Sequence, residues 1–430
     1  MRCALLTAVH ENGRLLSTVE FPGASNMQTE ASAMARSGDI EDRGRRKIGD
    51  ALLPRSNSLN LIRLLLASLV VFSHAVTLGG YGSELFLGWT SIGTLAVFSF
   101  FGISGYLIAG SAEANGAAQF LWHRLLRIFP AYWTCLVLTA AVFGWLGWMH
   151  LHPTAGLSAY LHQPSGPVGY MVRNSWLHLT QISISGTLAH VPFPGAWNGS
   201  IWTLFYEFIC YLVIGLLAIA GAMRHRIAVV GFALAVWMVE IVITATPALN
   251  AQFDALRHWE LTNVLRFVPV FLVGSIIYLY RHQIPDSGWL AFGSVAIMIG
   301  SYQIPVGAGI PAASLTRSDL SAFLLVYPIL WLGAHLPGRS IGVRNDYSYG
   351  LYIYAFPAAQ LLALWGVFRW GYLPYVTLTF LIAGALAVAS WWLIEKRCLR
   401  LKDIGRSPTR TSTGPLSVQS ISSRAPRSHP

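Results

Sequence analysis

Residues Asn60–Gly80 read NLIRLLLASLVVFSHAVTLGG. A run of this length matches the roughly 20 apolar residues that a helix needs to cross a bilayer. Its ionisable residues are Arg63 and His74. At about 100° per residue, the spacing between them is three turns plus about 20°. Both side chains therefore face the same way, about 16 Å apart along the axis. Ionisable groups inside a span are costly, which makes them functional candidates. Read alone, the pair also fits an arginine snorkelling to the interface and a hydrogen-bonded core histidine.

The sequence around this stretch has the same character. Of the 430 residues, 54% are hydrophobic and 11% are charged, against about 25% charged in soluble domains. The 338 residues from Ser58 to Glu395 hold 23 Asp, Glu, Lys and Arg, whereas the other 92 hold 24. A long apolar middle between polar ends excludes a soluble enzyme, a disordered chain and a fibrous one. The fold expected is all-α: a polytopic transmembrane helical bundle embedded in the lipid bilayer. Bilayer-length windows place about ten spans, at 58–78, 86–111, 125–149, 199–221, 226–246, 264–281, 288–304, 319–337, 347–367 and 373–395. The span at 288–304 has the weakest signal. The connection 150–198, rich in Trp, His, Pro and Gly, reads as an ordered loop with room for a short re-entrant or interfacial helix.

Three regions follow: an N-terminal arm, 1–57, expected to be cytoplasmic and disordered; a transmembrane domain, 58–397; and a disordered basic cytoplasmic tail, 398–430. The basic stretch Arg43–Lys47 precedes no apolar signal core with a cleavage site, so the first span is not a cleaved leader. With both termini placed inside, the inner segments carry 23 Lys and Arg and the outer ones 5, as the positive-inside rule requires. That rule also accounts for the net charge of +11. The basic residues are scattered and no recognition module accompanies them, so no nucleic acid partner is expected. Cys3, Cys135, Cys210 and Cys398 show no paired spacing and predict neither a disulfide nor a metal site.

Two further groups stand out. Glu207, in SIWTLFYEF, lies about 10 Å below the outer surface on the fourth span, a depth comparable to that of His74. The two could pair, or Glu207 could be a structural carboxylate bonded to neighbouring Tyr, Trp or Ser groups. Glu240, in WMVEIVI, lacks such context and reads as structural or interfacial. In LWHRLLRIFPAYW, Arg124 and Arg127 share one helical face on the cytoplasmic side, as Arg63 does. They fit a phosphate clamp or plain topology anchors. Three arginines inside, with a base and a carboxylate further out, suit an acyl-CoA whose pantetheine arm follows the first span toward His74.

These segments resemble the acyltransferase 3 family of integral-membrane acyltransferases, which includes bacterial O-acetyltransferases of O-antigen, exopolysaccharide and Nod factor. The likeness covers roughly residues 57–397. The family's first-span Arg and His fall on Arg63 and His74, and its second-span pattern on FFGISGYLI, Phe100–Ile108. Its RxxR motif falls on Arg124 and Arg127, and its W-S/T-L-x-x-E signature on Trp202, Thr203, Leu204 and Glu207. Its late S-Y-x-x-Y motif matches Ser348, Tyr349 and Tyr352. Two positions depart from the pattern: Phe98 stands where many members carry an Asp, and Ala355 where a histidine is familiar.

The resemblance implies an O-acyltransferase of the bacterial inner membrane, an acetyltransferase by expectation. Acyl-CoA would be the donor substrate, with no permanently bound cofactor and no metal, and a hydroxyl of a surface or secreted glycan or glycolipid the acceptor. Arg63, Arg124 and Arg127 would hold the donor. His74 would act as general base or transient acyl carrier, Glu207 would orient it or bind the acceptor, and Trp202 would bind substrate. A secondary transporter or glycan flippase would also place ionisable groups in spans. No internal repeat supports that reading, and the motifs cluster in the first four spans.

Overall fold

The computed structural model describes residues 46–53, 56–88, 90–246, 248, 249, 259–302 and 312–403. Ten helices dominate: α1 (Leu59–Leu78), α2 (Ile92–Ala114), α3 (Ala117–Leu151), α4 (Thr203–Ile219), α5 (Arg226–Ala245), α6 (Trp259–Leu279), α7 (Gly288–Ser301), α8 (Ala312–His335), α9 (Ser348–Leu364) and α10 (Tyr372–Lys402). Six of them, α1, α2, α3, α5, α6 and α10, are long and apolar enough to cross a membrane. The other four occupy the remaining positions where the sequence places a span. Single π turns at Thr139–Phe143 and Trp391–Glu395 interrupt α3 and α10.

The all-α expectation needs one correction. The second span does not begin at 86: a two-stranded antiparallel hairpin, β1 (Phe86–Leu87) and β2 (Thr90–Ser91), precedes α2. Gly88 turns the chain with φ +62°. Ser91 Oγ then accepts from Thr94 N at 3.1 Å, so a side chain takes up one backbone donor in the first turn of α2.

The described residues form two compact units. One comprises α1, Gly82–Glu113 and Leu216–Ser348. Within it α5 packs on α6, α7 on α8, and α8 on both α5 and α6. Helices α2 and α6 cross at small residues. A Cβ on Gly105 would strike the Phe271 carbonyl oxygen, and one on Gly274 the Gly102 carbonyl oxygen. That absence of side chains lets Ser275 Oγ donate to Gly105 O at 3.0 Å, the close backbone approach typical of helices packed in lipid. At the end of the N-terminal arm, Ile48–Ala51 forms one helical turn whose Ile48 N donates to Ile284 O at 3.0 Å. The arm up to residue 45 and the tail beyond 403 lie outside the described residues.

The second unit holds α3, α4, α9, α10 and the 150–198 connection. Tyr349 on α9 donates to Ile128 O on α3 at 2.9 Å, and Trp122 Nε1 on α3 donates to Leu401 O on α10 at 3.0 Å. The connection contains two short helices, Leu157–Leu161 and Pro167–Arg173. It is organised around buried Asn174, which donates to Gln181 O and accepts from Thr180 N and Gln181 N. A buried amide satisfied on both sides fixes loop backbone that no helix ladder supports.

Candidate active site

In the first unit, α1 places His74 one turn from its C-terminal end. The imidazole Nδ1 meets Glu84 Oε1 at 3.0 Å. Glu84 comes from the connection that leads into the hairpin, brought back over α1 because the chain turns at Gly80 and Gly82, both with positive φ. Space for it exists because Gly93 opens α2: a Cβ there would lie 2.9 Å from Ser73 Oγ and 3.5 Å from Glu84 Oε2. The hydrogen bond with His74 holds the Glu84 carboxyl at about 2, below its ordinary 4.5; Ser91 acts in the same direction and partial burial opposes both. Glu84 is therefore a carboxylate at neutral pH. A carboxylate at Nδ1 keeps the proton on that nitrogen and leaves the lone pair on Nε2, the arrangement a general base requires.

Arg63, on the same helix, is paired elsewhere. Its Nη1 lies 2.7 Å from Asp346 Oδ2, and Asp346 Oδ1 accepts from Ser348 N and Oγ at 3.1 and 2.5 Å. Asp346 is thus fixed by the start of α9 and in turn fixes the guanidinium. Phe98, at the departure from the family pattern, is 1% exposed. It packs tilted against Phe267 with Arg266 over its face at 5.6 Å, so the site of the missing Asp is an aromatic contact.

The second unit carries Arg124, Arg127, Trp202 and Glu207. Glu207 Oε1 accepts a 2.5 Å hydrogen bond from Tyr211, one turn further along α4. Arg124 lies 5.9 Å from the Tyr211 ring and 5.9 Å from that of Phe120. The first arginine of the RxxR motif and the glutamate of the fourth helix are thereby linked through one tyrosine. Trp202, just before α4, meets Tyr206 edge to face at 5.5 Å, and the adjacent Thr203 shares a 2.7 Å hydroxyl bond with Tyr352 of the late tyrosine motif. Arg127 turns to the π turn of α10, where Nη1 lies 3.3 Å from Glu395 Oε2 and the guanidinium sits over Tyr349 at 5.5 Å. Glu395 is 2% exposed and also accepts from Ser390. Arg124 and Arg127, one helical face in the sequence, thus have separate partners.

Four functional candidates were not legible as motifs: Glu84, Asp346, Tyr211 and Glu395. Glu84 left one signal, since it is the sole Asp, Glu, Lys or Arg between Arg63 and Glu113. Among the described residues no group of three His, Cys, Asp or Glu is arranged to hold a metal ion.

Comparison with known proteins places most of the chain in one family. Residues 56–395 match the acyltransferase 3 family model, described as an acyltransferase domain. An O-acetyl transferase of Shigella phage Sf6 is 29% identical over 348 residues, covering 80% of this chain and 96% of that protein. Nodulation protein 10 of Rhizobium leguminosarum bv. viciae is 26% identical over 370 residues, covering 80% of this chain and 94% of that protein. No solved structure matches.

Proposed function

Since this chain belongs to the acyltransferase 3 family and is a multi-pass membrane acyltransferase, we propose that it O-acetylates a cell-surface or secreted glycan from acetyl-CoA, in a bacterial inner membrane. The choice of acetyl is supported by the name of the phage relative. The proposed topology has about ten spans and both termini inside, in keeping with the charge count of the loops.

The observation that carries the chemistry is the contact between His74 Nδ1 and Glu84. In the proposed step, Nε2 of His74 accepts the proton of the glycan hydroxyl as that oxygen attacks the thioester carbonyl. Collapse of the tetrahedral intermediate breaks the C–S bond. The proton held on Nε2 then passes to the departing thiolate, leaving CoA as its thiol and the acyl group as an oxygen ester. The Glu84 carboxylate stabilises the imidazolium between these two transfers. Glu207 and Trp202 serve the acceptor. Arg63, Arg124 and Arg127 lend positive charge to the donor side, although Asp346 and Glu395 each offset one of these arginines.

The test is acetate released by mild base from glycan of cells lacking this gene, complemented with wild type or His74→Ala. Wild type should restore the ester. His74→Ala should insert at normal levels and restore none. Full acetylation by that variant would remove His74 from the chemistry.

A further inference from the structure

The segment between α8 and α9 is docked against the start of α1. Gly338 and Gly342 both adopt left-handed backbone, with φ +106° and +76°. A Cβ at Gly342 would lie 2.6 Å from that of Asn60, and one at Gly338 2.8 Å from Leu61 Cδ2. Asn60 Nδ2 donates to Gly342 O at 3.1 Å, and Ser58 Oγ to Leu336 O at 2.7 Å. Close approach and two side-chain bonds therefore give this loop a defined shape.

Between the loop and α1 lies a cavity of about 710 Å³, lined among others by Asn60, Leu64, Arg339, Arg344, Asn345 and Asp346. That volume is in the range of small-molecule sites, about 300–1,000 Å³. Asp346 is the single acid of the lining, and Arg63 and Ser348 already engage its two oxygens. Among the described residues neither Arg339 nor Arg344 forms an ion pair with a carboxylate; Arg339 Nη2 donates to Ala334 O at 3.3 Å. The lining thus carries two cations whose charge its own acid does not balance. Two guanidinium groups on one concave surface match the oxygens of phosphate esters.

We propose that this cavity binds a phosphate-bearing ligand, the phosphorylated end of the acyl donor, with Arg339 and Arg344 contacting the phosphate oxygens. The inference rests on the acetyl-CoA reading above. It assigns donor recognition to a loop outside the family motifs, next to an Arg63 that Asp346 has already engaged. An anionic lipid headgroup offers the same phosphate chemistry, so the experiment must separate the two sources.

The full chain is reconstituted in nanodiscs of phosphatidylcholine and assayed with acetyl-CoA and with S-acetylpantetheine, the same thioester without phosphates. Wild type should favour acetyl-CoA in kcat/KM. Arg339→Ala/Arg344→Ala should cut that preference at least about tenfold, chiefly through the KM for acetyl-CoA. Tenfold is the low end for a single charge-assisted contact, taken here for the pair because both arginines are exposed and solvent screens them. Arg344→Lys, which keeps charge but not the planar fork, should fall between. Arg339→Gln/Arg344→Gln replaces the alanine pair if the latter inserts poorly. An undiminished preference in an active variant overturns the assignment. So does a variant that keeps the preference but loses stimulation by added phosphatidylglycerol, since the occupant is then a headgroup. Wild type inactive with both donors would instead overturn the acetyl-transfer reading, and this inference with it.

Discussion

Replacing Glu84 by Gln keeps the side chain's size and removes its charge beside His74. The Glu84 carboxyl is held at about 2 against an ordinary 4.5, a difference equivalent to roughly 3 kcal/mol. The side chain is 24% exposed, and solvent screening reduces the expected coupling to roughly 2 kcal/mol. If the coupling is felt where the imidazolium forms, kcat falls about thirtyfold, within a range of about 10–100-fold. The assay is acetyl transfer from acetyl-CoA by the purified chain, with initial rates measured across donor concentrations. The donor KM should change less than about twofold, because Glu84 acts through His74. A merely structural role would alter insertion or both constants together. Glu84→Asp should recover part of the rate. Stability offers a second readout. A carboxyl whose folded pKa lies below its unfolded value stabilises the fold above the unfolded value, and that contribution fades as pH falls toward the folded one. The melting difference between wild type and Glu84→Gln should therefore be full above about pH 4.5 and close on acidification toward about 2. A Glu84→Gln enzyme with wild-type kcat would refute the pairing argument.

The same physical reasoning gives two other outcomes. Arg127→Ala removes a partner of a carboxylate that is 2% exposed, which should cost about 3 kcal/mol or more. Adding Glu395→Gln should restore much of that loss in detergent thermal melts, and an unchanged melting temperature for Arg127→Ala would remove the pair from the stability of the fold. Topology is checked by cysteine labelling with an impermeant thiol reagent applied from outside. Val172, on the short helix Pro167–Arg173 of the 150–198 connection, is 65% exposed. Val172→Cys should react and Arg344→Cys should not; the reverse pattern would invert the membrane orientation.

The sequence by itself determined the solvent, the helical class and the chemistry-bearing motifs. Those are local properties: the length of an apolar run decides whether a segment can span, and residue spacing decides which side chains share a helical face. The hairpin before α2 escaped this reading because Phe86 and Leu87 extend an apolar run, and run length does not distinguish a short strand from the start of a helix. Only the tertiary structure decided partners. Arg63 and Asp346 are 283 positions apart, and Arg127 and Glu395 268 apart; no periodicity encodes either meeting. Glu84 is only ten residues from His74, yet it lies in a connection whose course depends on left-handed glycines rather than on helical spacing. Arg339 and Arg344 likewise read as scattered basic residues until Gly338 and Gly342 bring their loop against α1, where it lines a cavity open to solvent. Charge becomes a site when packing decides which charges remain uncompensated, and that depends on contacts between segments far apart in the chain.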